Sequence, residues 1–186
     1  MAACTGQPQP PPQTTAPSTP TPGSVASPTP TVSPTPTSDR ERALADSKQA
    51  YVALWQARDR LSQGGGAAEI PEYLGKYLTR DGAARRFLAK TARDVRGGEF
   101  KREGFATLRN FRILDLTDLE ISVPVAKWKA CVDQSEVKIM KQGKLFDHPK
   151  FIEEEVELHW DRNAKKWLVE ALSSRALTGH NDCGKA

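Results

Sequence analysis

The chain has 186 residues with 27 basic and 23 acidic side chains, a net charge of +4 and a pI near 9.0. That length fits one domain and a tail. With no run of about 18 apolar residues, nothing in it reads as a membrane-spanning helix.

The charge is unevenly placed. Residues 1–38 hold no charged side chain and 11 of the 14 prolines, interleaved with Thr and Ser, so they read as a disordered linker rather than a packed domain. The expected division is a short leader remnant at 1–4, the Pro/Thr/Ser-rich linker at 5–38, a folded domain at 39–175 and a carboxy-terminal tail at 176–186. Within the domain, residues 69–112 carry 11 basic against 6 acidic groups, and residues 113–186 carry 11 against 13. The basic excess could meet an anionic surface, whether lipid headgroup, wall polymer or nucleic acid; a solvated helix face is the plainer reading.

Met1-Ala2-Ala3-Cys4-Thr5-Gly6 resembles the end of a bacterial lipoprotein signal, in which small residues precede a cysteine and small polar residues follow it. In that family the thiol becomes a diacylglyceryl thioether and the cysteine becomes the mature amino terminus. Met1 stands where the family usually has Leu, so the expectation is a basic and apolar leader upstream, with translation starting earlier. The tract after Cys4 suits a spacer. Proline fixes φ and favours extended chain, and residues 5–38 at about 3.1 Å each would reach on the order of 100 Å.

Three cysteines, Cys4, Cys131 and Cys183, are an odd number for an exported protein. Lipidation of Cys4 would leave Cys131 and Cys183 to pair, pinning the carboxy terminus to a strand. Closing that loop is worth about 4 kcal/mol in the chain-entropy account. His148, His159 and His180 are scattered and no Cys or His pair has ligand spacing, so no metal or cofactor is expected.

Residues 39–62 read as an amphipathic helix capped by Ser38 or Asp39, with Leu44, Tyr51, Leu54 or Trp55, and Leu61 on its apolar stripe. Gly64-Gly65-Gly66 ends it. A second helix is expected at 70–79, with Pro71 in its first turn. A third is expected at 81–96 from an Asp81 cap, with Ala84, Phe87, Leu88, Thr91 and Val95 inward. Arg86, Lys90 and Arg93, flanked by Arg85 and Arg96, form its basic face.

From residue 99 the period becomes two, predicting strands at 99–103, 106–116, 120–133 with an extension at 136–141, 150–160 and 166–173. Turns are expected at Gln142-Gly143 and at Asp161-Arg162-Asn163-Ala164. Ala126, Trp128, Ala130 and Val132 alternate with Lys127, Lys129 and Cys131. Ile152, Glu154, Val156, Leu158 and Trp160 alternate with glutamates and His159. Lysines on one strand should therefore meet glutamates on the next.

Three helices followed by a bent antiparallel sheet give an α+β cone. That order, the Ala130-Cys131-Val132-Asp133 strand, the Gly143 turn and the closing Lys166-Trp167-Leu168-Val169 strand resemble the NTF2-like (cystatin-like cone) domains of exported lipoproteins from high-GC Gram-positive bacteria. The resemblance covers residues 40–175. It implies a pocket between helices and curled sheet, used for catalysis in ketosteroid-isomerase-like and polyketide-cyclase-like members and for binding or dimerisation in others.

An enzyme of this kind needs an acid or base inside the cone. Candidates are Asp115, Asp133, Glu154 and His159. Each has a plainer reading: a turn for Asp115, a structural hydrogen bond for Asp133, a strand edge or bulge for Glu154, solvent for His159. No Ser/His/Asp arrangement or phosphate loop occurs. Trp55, Trp128, Trp160 and Trp167 fit core stripes better than a base-stacking platform, so no nucleic acid is expected. The sequence thus points to a lipid-anchored, extracytoplasmic, non-enzymatic binding or accessory domain at the cell envelope. Its expected partners are the membrane through Cys4, an envelope protein or anionic polymer, and a second copy of itself. The alternative is a small-molecule enzyme using Glu154 or Asp115.

Overall fold

A computed structural model of the protein describes residues 38–178. The described residues all belong to one unit. Cys4, Cys183, the Pro/Thr/Ser segment and the end of the tail lie outside the described residues.

Helix α1 (Asp39–Gln63) starts at a complete capping box. Ser38 Oγ accepts from the Glu41 N–H at 3.1 Å and the Ser38 N–H donates to Glu41 Oε2 at 3.1 Å. Its inward stripe is Ala43, Ser47, Tyr51, Leu54, Trp55 and Leu61, with Leu44 only partly covered. The expected second helix shrinks to one turn, α2 (Glu72–Gly75), for which Pro71 is the N-cap rather than a first-turn residue. The chain is then pulled into extended form. Val169 donates to the Tyr77 carbonyl at 2.8 Å, the Thr79 N–H donates to Val169 at 3.1 Å, and Leu78 makes a parallel bridge to Val169. Sheet hydrogen bonding outcompetes further helix here. Helix α3 (Ala83–Arg96) has Gly82, not Asp81, as its N-cap, and no side chain caps it. It buries Ala84, Leu88, Ala92 and Val95; Phe87, expected inside, is 53% exposed.

The strands are β1 (Phe100–Glu103), β2 (Thr107–Leu116), β3 (Val125–Asp133), β4 (Lys138–Lys141), β5 (Lys144–Phe146), β6 (Phe151–Asp161) and β7 (Lys166–Ala176). They do not form one curled sheet, as the sequence reading expected. Two antiparallel sheets form instead, ordered β1-β4-β5 and β2-β3-β6-β7. The expected 136–141 extension of the third strand leaves its sheet because Gln134 turns the chain aside. Its N–H donates to the Lys150 carbonyl at 2.7 Å and so closes the neck of the β4–β5 excursion. That excursion turns at Gln142-Gly143, both at positive φ (49° and 77°), the combination a two-residue hairpin favours. The β6–β7 turn is held by Asp161 Oδ1, which accepts from Asn163 and Ala164 at 2.9 and 3.0 Å. From that turn Arg162 donates to the carbonyls of Leu119, Glu120, Ile121 and Ser122, so the segment expected to begin the third strand at 120 is instead a clamped loop.

The alternation in the larger sheet is as expected. Ala126, Trp128, Ala130, Val132, Val156 and Leu158 are buried under α1, α3 and the chain between them, with Trp167 and Val169 of β7 completing the core. On the other face Lys127 meets Glu157 at 3.0 Å, and Lys129 meets Glu153 and Glu155 at 3.1 and 2.8 Å. His159 Nε2 lies 2.8 Å from Glu157 Oε1. Hydrogen bonding to His159 and then Lys127 holds the Glu157 carboxyl below its ordinary value of 4.5. A depressed carboxylate contributes stability that is fully present above pH 4.5 and is lost as pH falls through the lower folded value. Glu157→Gln is expected to flatten that acid limb by removing this contribution at pH 7 while changing little at pH 3, as read from urea midpoints between pH 3 and 7; an unchanged acid limb would count against the ladder.

Candidate functional site

The buried face of the larger sheet carries Glu154 of β6, and α1 brings three donors onto it. Tyr51, Trp55 and Arg58 are spaced by four and three residues, which stacks them on one side of the helix. Tyr51 Oη donates to Glu154 Oε1 at 2.8 Å and Trp55 Nε1 donates to the same oxygen at 2.6 Å. Arg58 Nη1 lies 3.2 and 3.1 Å from the two carboxylate oxygens. Glu154 is 2% exposed, and β6 lies between β3 and β7, so it sits neither at an edge nor at a bulge; the register shift of β6 comes later, at Glu157/Leu158. The alternation placed Glu154 inside correctly, and the reason is a full set of buried partners. Burial, reinforced by the Glu154 charge, pushes the Tyr51 hydroxyl far above its ordinary range, so it serves as a donor.

Arg58 also stacks on the Trp55 ring, its guanidinium carbon 4.0 Å from the centroid. Behind this stack lies a second ion pair, Arg102 of β1 with Asp59, with Nη1 2.7 Å from Oδ1. The contact is close but poorly aligned: Asp59 Oδ1 accepts no well-formed hydrogen bond, and neither Arg102 Nε nor Nη2 finds an acceptor. Burial raises the Asp59 carboxyl, opposed by Arg102, and burial lowers the Arg102 guanidinium, opposed by Asp59.

The other candidates fall elsewhere. Asp115 is exposed on β2 opposite Lys127, not inside a pocket, because its register places it on the outer face. Asp133 is buried in a structural role, accepting from the Ser135 N–H and hydroxyl at 3.0 and 2.6 Å and pairing with Arg109 at 3.0 Å. His159 lies half-buried on the outer ladder. Arg86, Lys90 and Arg93 are all exposed on α3; Arg86 donates to the Asp81 carbonyl and Lys90 pairs with Asp94 at 2.6 Å. Arg85, expected to flank that face, instead ties α3 to the Thr79 and Gly75 carbonyls at 2.9 and 3.0 Å. Cys131 is fully buried in β3, opposite Arg109 and Glu153. Among the described residues no His, Cys, Asp and Glu group could hold a metal ion, and no helix is long and apolar enough to cross a membrane.

Tyr51 and Trp55 were legible as core positions, but their convergence with Arg58 on Glu154 was not. The available signal was an arginine in line with an apolar stripe, matched by a glutamate in line with another.

No known protein family matches this chain, and no curated protein matches it. Solved structures similar to it include a periplasmic fragment of TraM, at 13% identity, covering 75% of this chain and 98% of that one, with a TM-score of 0.47. Another is the intermembrane space region of chloroplast protein ARC6, at 13% identity, covering 71% and 98%, with a TM-score of 0.47. A third is a ketosteroid isomerase-like protein from Erwinia carotovora atroseptica, at 12% identity, covering 73% and 97%, with a TM-score of 0.45.

Proposed function

We propose that this chain is a non-enzymatic binding domain of the NTF2-like type, displayed outside the cytoplasm on a lipid carried by Cys4. The observation that carries the non-catalytic reading is the Glu154 network. A general base needs a lone pair facing a substrate. Those of Glu154 are engaged by Tyr51, Trp55 and Arg58, and the carboxylate lines none of the described cavities. Asp115 is on the outer face, so neither carboxylate named for the enzyme reading presents a free base to a pocket. The order of three helices followed by antiparallel strands supports the NTF2-like assignment.

The anchor rests on the small-residue context of Cys4 and the Pro/Thr/Ser tract that follows it. A Cys131–Cys183 bridge completes the reading, with Cys131 buried in β3 and Cys183 in the tail. Intact mass of the native protein from its own membrane fraction, taken with and without reductant, tests both. The expected species begins at a diacylated Cys4 and gains about two hydrogens on reduction. A soluble chain with an unmodified Cys4 would overturn the location.

A further inference from the structure

A cavity of about 240 Å³ lies beside the Glu154 network, between α1, α3, β1 and β4. Leu61, Phe87, Val95, Phe100 and Ile139 make its walls largely apolar, and Arg102 supplies a cation. The other charged groups at its rim are already matched: Arg58 is spent on Glu154, and Asp94 pairs with Lys90 at 2.6 Å. Arg102 is different. Its Nη1 faces Asp59, whereas its Nε and Nη2 are buried and have no acceptor among the described residues. Those two N–H groups share one edge of the guanidinium, where they project in parallel as the two oxygens of a carboxylate require. Buried donors without partners are rare because they forfeit their hydration for nothing. Phe87, left 53% exposed where the helical pattern called for burial, borders the same cavity.

We propose that this cavity binds a small amphipathic carboxylate. The carboxylate pairs with the Nε/Nη2 edge of Arg102, which turns out of its covered position to meet it, and the hydrocarbon body lies between Phe87, Val95, Phe100 and Ile139. This deepens the reading of the chain as a binding domain and rests on it. A neutral alcohol could accept from only one of the two donors at a time, and an alkylammonium would face Arg102 with like charge.

The test titrates the full chain with decanoate, decanol and decyltrimethylammonium, each below its micellar concentration, by calorimetry and by NMR of the Arg102 Nε–H. Decanoate is expected to bind about tenfold or more tighter than either analogue and to shift the Nε–H resonance, as a charge-assisted bidentate contact requires. Arg102→Lys keeps the charge facing Asp59 but removes the fork, and should weaken decanoate about tenfold. Should that variant fail to fold, Thr91→Trp decides. It fills the cavity from the partly exposed flank of α3 while replacing no member of either buried ion pair, and should abolish binding. Equal affinity for decanoate and decanol, binding indifferent to both substitutions, or no binding at all would overturn the site. None of these outcomes bears on lipidation of Cys4 or on the Glu154 network, which the mass measurement and the Arg58 variant judge separately.

Discussion

Arg58→Ala is expected to destabilise the domain by about 3–5 kcal/mol, the cost of leaving a buried charge without its partner. Glu154 is 2% exposed and cannot recover the loss from water, since Tyr51 and Trp55 approach only one of its oxygens. The same substitution strips the guanidinium from the Trp55 face, 4.0 Å away. Removing both charges should be far milder: Arg58→Met combined with Glu154→Gln keeps the packing volume and leaves no uncompensated ion. Urea unfolding of Arg58→Met, Glu154→Gln and the double variant forms the cycle. A single variant costing under about 1 kcal/mol would mean that Glu154 finds other compensation and that the network is not the organising feature of the core.

The second large effect belongs to Gly66. Its φ is +74°, and a Cβ there would lie 2.4 Å from both the Ala92 carbonyl oxygen and the Arg96 backbone nitrogen. The chain presses on α3 at this point, with the Ala67 N–H donating to Ala92 at 3.0 Å. Gly66→Ala should therefore combine left-handed strain with a backbone collision, about 3–5 kcal/mol together. Gly65 shares the positive φ, at +83°, but has open space around it, so Gly65→Ala should cost only the strain, about 1–2 kcal/mol. Equal urea midpoints for the two variants would show that α3 does not lie against Gly66.

These residues mark how far the sequence could be read. The triple glycine announced the end of α1, but composition alone gave no reason to rank Gly66 above Gly65, because the neighbour that distinguishes them is some 26 residues away. The strands were legible because alternation is local. Which strand pairs with which is not, so β4 was joined to the wrong sheet and β5 was not expected. The one-turn α2 failed for the same reason: the segment 77–79 has helical spacing, yet Val169, about 90 residues later, offers it a sheet edge. Glu154 stood out as a polar residue on an apolar face. Its donors did not, since an arginine on an amphipathic helix reads as solvent-facing until the strand behind it is placed.

The small sheet has a consequence for motion. Residues 135–149 leave the main fold and return through the neck between Gln134 and Lys150, and β1 is the strand that joins β4 and β5 to the helices. Few buried apolar groups hold it; Leu145 is 71% exposed and Phe146 43%. Such a unit opens at a lower free energy than the core strands β3 and β6, so its amides exchange by excursions that leave the rest folded. Because Phe100, Arg102 and Ile139 sit on this unit, the fluctuation that exposes its amides is also the one that gives a solute a way in past the α3 helix.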